Sequence, residues 1–150
     1  MRTQLILTTA ALGVASSLGA FGQVYSVNAV GYINLTVPAK SYVLAGNQLN
    51  TGGNTLKEVL PSVPDGTVVF KYSQGSGFAA IGFEFGEWGS PEASAKPGEG
   101  FFLQNNGSAP ITVTFVGEVP QGSRSTALAK GLNLIASQIP SPRILLWKIF

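Results

Sequence analysis

The sequence predicts an all-β protein, a sandwich or a barrel of antiparallel strands with one short helix near residues 55–60. Two observations support this class. About seven short runs alternate apolar and polar residues, and glycine, proline and asparagine separate these runs as turn residues do. No strand–helix–strand rhythm is present, so a parallel α/β sheet is not expected.

The first strand is predicted over residues 25–37, where every second residue is apolar over most of the run. Pro38 ends it, and Gly31 is interpreted as the site of a bulge or bend because a strand of this length usually has one. A second, shorter strand is predicted over residues 42–45.

A short helix is predicted after the second strand. Thr55 and Glu58 have the spacing of a capping box, and apolar residues follow at positions 56, 59 and 60. Pro61 limits the helix to a turn or two.

Two hairpins are predicted next. The first joins residues 67–72, with Val68, Phe70 and Tyr72 on one face, to residues 78–85. The second joins residues 101–104 to residues 111–116 through Asn105-Asn106-Gly107, because Asn-Gly favours tight turns. Its buried face is expected to contain Phe101 or Phe102, together with Ile111, Val113 and Phe115.

The chain also shows a partial internal repeat. Residues 27–31 resemble residues 113–117, and residues 40–49 resemble residues 130–139. We therefore expect a β domain over residues 23–128, followed by residues 129–150 as the start of an incomplete second repeat or as a terminal strand. The apolar segment 143–150 is either a buried strand or the remnant of a truncation.

Residues 1–22 have the pattern of a secretory signal peptide. Arg2 precedes an uncharged apolar run over residues 5–18, and Ala20 and Gly22 suit cleavage before Gln23. The run is shorter than the ~20 apolar residues of a membrane span. A secreted, periplasmic or cell-surface protein with no transmembrane segment after cleavage is expected, and the alternative is an N-terminal membrane anchor.

Three segments carry a resemblance to a known group. They are residues 23–32 (QVYSVNAVGY), 97–102 (PGEGFF) and 115–120 (FVGEVP). With the signal peptide, they make the chain similar to a group of uncharacterised exported bacterial proteins that contain tandem β repeats. The resemblance implies a class and a location, but no catalytic residue.

The composition excludes several kinds of chemistry. The chain has no histidine and no cysteine, which rules out a Ser-His-Asp triad, a Cys-His pair and ordinary zinc sites. Asp65 is the only aspartate, and no glycine loop has the spacing of a phosphate-binding motif. No cofactor or metal is expected. The few lysines and arginines are scattered, so nucleic acid is not an expected partner.

Glu84 and Glu87, which lie just before Trp88, are the candidates for carboxylate catalysis. A pair of carboxylates about 5–9 Å apart can hydrolyse a glycosidic bond. Glu84, however, occupies an outward position between two phenylalanines, so a glycan-acting enzyme is the least favoured interpretation.

Aromatic residues cluster around the first predicted hairpin. Phe83 and Phe85 are expected in the core. Trp88 is expected either in the core, which is the favoured position, or exposed, and Tyr72 and Trp88 are the candidates for stacking on sugar rings. The sequence features are consistent with three functions. The favoured one is a non-enzymatic exported structural, adhesive or assembly domain that binds a cell-surface polymer or itself. The alternatives are a carbohydrate-binding module that uses Trp88 and the glycan-acting enzyme.

Overall fold

The computed structural model describes residues 29–141, which form a β-sandwich of two antiparallel sheets with one short helix. The predicted all-β class is therefore confirmed, and of the two predicted architectures the sandwich is the one observed. The elements are β1 (Val30–Val37), β2 (Ser41–Gly46), α1 (Leu56–Val59), β3 (Thr67–Ser73), β4 (Gly77–Glu84), β5 (Glu87–Trp88), β6 (Gly100–Asn105) and β7 (Ile111–Glu118).

The two sheets differ in size. The small sheet pairs β1 with β7, and the large sheet has the order β2-β6-β3-β4-β5. Apolar side chains from both sheets, from α1 and from the connecting loops form one core between them. Its fully buried members are Val37, Ala45, Leu49, Leu56, Val69, Ala95, Phe101 and Leu103.

The first strand follows its predicted alternation within the described residues. Ile33 and Leu35 pack against the core, and Tyr32 and Asn34 point to solvent. Gly31 does not mark a bulge, because it pairs with Gly117 in an unbroken register. A Cβ atom at Gly117 would lie 2.7 Å from the carbonyl oxygen of Asn50, so glycine there permits a close backbone approach.

The predicted helix forms as a single turn. Its apolar residues Leu56 and Val59 are buried against the core. The Thr55 amide donates a hydrogen bond to the Glu58 carboxylate across 3.4 Å, as expected from the capping-box spacing.

The predicted hairpin around Asn105-Asn106-Gly107 is wrong in its pairing. β6 pairs with β2 and β3 in the large sheet, whereas β7 pairs with β1 in the small sheet. The turn therefore carries the chain from one sheet to the other. The buried Asn105 side chain holds this corner, since its amide nitrogen donates to the carbonyls of Val37, Pro38 and Ala109.

The predicted buried side chains of these two strands are nevertheless correct. Phe101, Val113 and Phe115 all lie in the core. Ile111 is half-buried and packs against it. Inward and outward residues alternate along both strands as predicted. The buried side chains of β6 come from the large sheet, whereas those of β7 come from the small sheet.

Residues 119–141 contain no strand. In the predicted second copy of the repeat, Ile135 makes an isolated antiparallel bridge with Glu99. The repeat itself stays a prediction. Segment 143–150, and the signal peptide with residues 25–28 of the first predicted strand, lie outside the described residues. Between residues 29 and 141, no helix has the length and apolar character needed to cross a membrane.

Candidate binding face

The outer side of the large sheet carries an unusual concentration of aromatic residues. Val68, Phe70 and Tyr72 share one side of β3 as predicted, but the side of β3 that faces the core is the opposite one, where Thr67 and Val69 are buried. Strand alternation therefore places Phe70 and Tyr72 on the outer side. We call this surface the aromatic face; its rings belong to Tyr42, Phe70, Tyr72, Phe78 and Phe102.

The rings of the aromatic face contact one another across four strands. Phe70 pairs directly with Phe102, and Tyr72 pairs with Phe78. Ring centroids are 5.9 Å apart for Tyr42 and Phe70, 5.2 Å for Tyr72 and Phe78, and 5.8 Å for Phe78 and Phe102. The ring planes are tilted by 51° to 59°, so the rings form a groove rather than a flat platform.

The groove is an open cavity of about 360 Å³ lined by Tyr42, Phe70, Phe78 and Phe102. Tyr42 is 56% exposed and Phe78 is 51% exposed. All four lining residues are aromatic, so the described part of the chain places no charged side chain in it. We refer to this cavity as the aromatic groove.

A polar group adjoins the aromatic groove. Gln104 pairs with Tyr42 on one side and Val68 on the other, so its side chain lies in the same outer row. It is half-buried, and its amide has no hydrogen-bond partner among residues 29–141. Apolar sites that bind small molecules commonly contain a few such polar groups.

Of the two predicted stacking residues, only Tyr72 lies on the aromatic face. Trp88 is 4% exposed, and its ring meets Phe83 edge-on at a centroid distance of 5.1 Å. Its indole nitrogen donates to the carbonyl of Leu60 across 2.9 Å. Trp88 therefore occupies the core, the favoured one of its two expected positions, and the alternative of an exposed stacking residue is wrong.

The expectation for Phe83 is confirmed, and the expectation for Phe85 is wrong. Phe83 is buried, whereas Phe85 is 95% exposed at the turn between β4 and β5. Phe85 and Gly86 have φ angles of 55° and 81°, as in the two-residue turns that suit a twisted hairpin. The turn takes Phe85 out of the strand alternation that predicted its burial.

The two glutamates do lie together. Glu84 pairs with Glu87 across β4 and β5, and both line an open depression of about 390 Å³ with Gly82, Trp88 and Gly89. A glycosidase needs one of its two carboxyl groups in an apolar environment that keeps it protonated. Glu84 and Glu87 are both exposed, so this geometry gives them no distinct acid and base roles.

A second polar cavity of about 210 Å³ lies between the loops at one end of the sandwich. Its lining includes Lys96 and Arg124 together with the side chains of Asn50, Asn54 and Gln138. No carboxylate lines it, and neither cation forms an ion pair among the described residues.

Glu99 is the carboxylate that accepts the most side-chain hydrogen bonds among residues 29–141, and its role is structural. Glu99 accepts from Lys71 Nζ across 2.8 Å and from Ser94 Oγ across 2.9 Å. Burial raises the pKa of Glu99, but the hydrogen bond and charge of Lys71, with the hydrogen bond from Ser94, outweigh it and lower the pKa below its ordinary value. This network fixes the backbone beside the bridge to Ile135.

Residues 29–141 contain no group of three or more histidine, cysteine, aspartate or glutamate side chains that could hold a metal ion. Comparison of the chain with protein-family models, with curated proteins and with solved structures gives no match. The geometry of the aromatic face is therefore the basis for the proposed function. Sequence analysis did not single out Tyr42, Phe70, Phe78 or Phe102 as site residues, although all four occupy outward positions in strands that it predicted.

Proposed function

We propose that this chain is an exported, non-enzymatic assembly domain that binds a second copy of itself through the aromatic groove. The observation that carries the proposal is the groove itself, whose four lining residues are all aromatic and which remains open to solvent. Covering the apolar lining of the groove removes that surface from water, which favours association with a partner.

The exposed rings of the groove can contribute binding energy when a partner covers them. Full burial of one aromatic side chain contributes about 1.5–3 kcal/mol, and aromatic rings are enriched in the cores of protein interfaces. Tyr42 and Phe78 keep about half of their surfaces in solvent, so they still have area to bury against a partner. The groove lining holds no charge that a partner would have to desolvate.

A second copy is the favoured occupant because the whole chain is poor in charge. Only 11% of its residues are charged and the formal net charge is +2, so two copies can approach with little repulsion. Export is supported by the signal-peptide pattern of residues 1–22. Intact-mass measurement of the secreted protein tests that part, and a mature form that retains Met1 would contradict it.

Sedimentation velocity across a range of concentrations tests self-association. The double variant Tyr42→Ser/Phe78→Ser removes the two most exposed rings of the aromatic groove, and we expect it to remain monomeric at concentrations where the wild type associates. The matched control is Tyr32→Ser/Val116→Ser, which removes apolar side chains that are 74% and 54% exposed on the small sheet. A wild type that stays monomeric, or a control that loses association equally, would overturn the proposal.

A second candidate occupant is a neutral polysaccharide, and the free amide of Gln104 beside Tyr42 favours it. Aromatic rings contact the apolar faces of sugars, while an amide can bond a hydroxyl group. The tilted rings suit a single twisted glycan chain better than a flat crystalline surface. Affinity electrophoresis with soluble neutral polysaccharides tests this candidate: Gln104→Ala should weaken retardation and Gln74→Ala should not. Equal migration of the wild type with and without polysaccharide would exclude the glycans tested.

A further inference from the structure

The polar cavity between the loops at one end of the sandwich brings together side chains from four separate segments of the chain. Its volume is about 210 Å³, and its polar lining residues are Asn50, Asn54, Lys96, Arg124 and Gln138. We call it the basic cavity. It shares no lining residue with the aromatic groove, so a ligand would bind there independently of the proposed self-association.

Lys96 and Arg124 give the basic cavity two positive charges that no carboxylate neutralises. Both residues are exposed, and neither side chain forms an ion pair or a hydrogen bond with another residue between 29 and 141. Glu99 follows Lys96 by three residues, but its carboxylate is paired with Lys71 and does not line the cavity. Two like charges on one cavity create a potential that attracts an anion.

Asn50 adds a hydrogen-bond donor to the same lining. Its backbone pairs with Glu118 through two hydrogen bonds of 2.8 Å. Its side-chain oxygen accepts from the amide nitrogen of the buried Asn54 across 2.7 Å and from the Gly52 amide across 3.3 Å. The side-chain nitrogen of Asn50 has no partner among the described residues, so it remains available to a ligand.

Gln138 adds the opposite kind of group, a hydrogen-bond acceptor. Its side-chain nitrogen donates to Thr126 Oγ1, which fixes the orientation of the amide. Gly98 permits this arrangement, because a Cβ atom there would lie 2.9 Å from Gln138 Cγ and 3.0 Å from Thr126 Oγ1. The side-chain oxygen of Gln138 accepts no hydrogen bond from residues 29–141, so it too is available.

The size of the basic cavity and its free groups restrict the chemistry of a ligand. Sites for drug-sized molecules occupy about 300–1,000 Å³, so this cavity suits one small acid or one acidic residue of a polymer. The planar guanidinium of Arg124 matches a carboxylate in a bidentate arrangement. A sulfate ion has only acceptor oxygens and would leave the Gln138 oxygen without a donor. A carboxylate with a neighbouring hydroxyl group satisfies both kinds of group.

We propose that the basic cavity binds a hydroxylated carboxylic acid of the size of one sugar acid. Lys96, Arg124 and the Asn50 side-chain nitrogen bind the carboxylate, and the Gln138 oxygen accepts a hydrogen bond from a hydroxyl group. A free sugar acid and an acidic residue of a polysaccharide present the same groups to the cavity, and the experiment below distinguishes these two sources.

NMR titration with D-galacturonate at constant ionic strength tests the proposal, with the side-chain amide signals of Asn50 and Gln138 as the readout. We expect saturable shifts in the wild type and much smaller ones with sulfate or D-galactose. Arg124→Gln should weaken binding about tenfold or more, because it removes a charged hydrogen-bond partner. The matched control is Lys130→Gln, which removes one positive charge from an exposed residue outside the cavity and should bind like the wild type.

The hydroxyl contact is tested by Gln138→Met, which keeps the length of the side chain and removes the acceptor. We expect the affinity for D-galacturonate to fall towards the affinity for acetate, while the affinity for acetate stays unchanged. Backbone amide spectra that match the wild type outside the cavity show that each variant is folded.

Four results would overturn the proposal: no saturable shifts in the wild type, equal weakening in Arg124→Gln and Lys130→Gln, sulfate binding as tight as that of D-galacturonate, or unchanged discrimination between D-galacturonate and acetate in Gln138→Met. Addition of polygalacturonate then identifies the source of the acid. Competition with the monomer assigns the cavity to a residue of an acidic polysaccharide, and binding of the monomer alone assigns it to a free sugar acid.

Discussion

The indole nitrogen of Trp88 donates a hydrogen bond to the carbonyl oxygen of Leu60 across 2.9 Å. This bond joins the short strand β5 to the residue that follows α1, so it links the edge of the large sheet to the helix. Trp88 also packs edge-on against Phe83. The tryptophan is therefore a structural residue, and its contacts connect two elements that are far apart in sequence.

Trp88→Ala should destabilise the protein by about 3–5 kcal/mol, because it removes a buried ring and leaves the Leu60 carbonyl without its donor. Urea unfolding at neutral pH measures this loss. Trp88→Phe is the matched control: it keeps an aromatic contact with Phe83 and should lose clearly less. A Trp88→Ala protein as stable as the wild type would show that the ring is not part of the core.

Asn105→Ala should destabilise the protein by about 2–3 kcal/mol. The Asn105 side chain donates to the carbonyls of Val37, Pro38 and Ala109, and it accepts from the Gly107 amide, so its loss leaves buried polar groups unpaired. Thermal and urea unfolding measure the effect. Asn106→Ala serves as the control, since that exposed side chain makes a single bond to Gly66. Equal losses in the two variants would contradict a special role for Asn105 at the corner.

The part of the fold that the sequence predicts is the part set by local alternation. The apolar side of β1 and the buried residues of β7 follow from the side-chain period of two. The pairing of β6 and β7 does not follow, because Asn-Gly indicates a turn but not which sheet receives the next strand. That choice depends on bonds from Asn105 to Val37 and Pro38, which are distant in the sequence.

In the candidate site, too, local alternation predicts some features, whereas contacts between residues distant in sequence decide the others. The sequence places Phe70 and Tyr72 on one side of β3, yet only the packing of the small sheet decides that this side faces solvent. For Trp88, the deciding contact is a hydrogen bond to Leu60, and no local pattern indicates it. For Phe85, the alternation of β4 ends at Glu84, because Phe85 is itself the first residue of a two-residue turn.

Phe85→Asn should stabilise the monomer by about 1 kcal/mol, since asparagine accepts a positive φ at lower cost than phenylalanine. Urea unfolding at a concentration where the protein is monomeric measures the change. Phe85→Ala is the control, because it removes the ring but not the backbone strain, and it should give a smaller gain. A loss of stability in Phe85→Asn would show that the ring supports the fold.

Glu99→Gln should make the free energy of unfolding less sensitive to a fall in pH. The pKa of Glu99 is lowered from its ordinary value of 4.5, so the ionised carboxylate stabilises the fold above that pH, and this stabilisation is lost as the pH falls through the folded-state pKa. The difference in unfolding free energy between wild type and Glu99→Gln should be constant from pH 7 to about 5 and should shrink at lower pH.

The control for this pH series is Gln74→Ala, which changes an exposed and uncharged side chain. Its difference from the wild type should not change with pH. A Glu99→Gln difference that stays constant from pH 5 to pH 3 would contradict the role of the Lys71–Glu99 pair.

Hydroxyl-radical footprinting at low and high protein concentration tests most directly whether the aromatic groove is the assembly site. The account predicts that oxidation of Tyr42 and Phe78 falls as the protein associates, while oxidation of Tyr32 on the small sheet stays constant. Unchanged oxidation of Tyr42 and Phe78 in a sample that sedimentation shows to be associated would contradict the account.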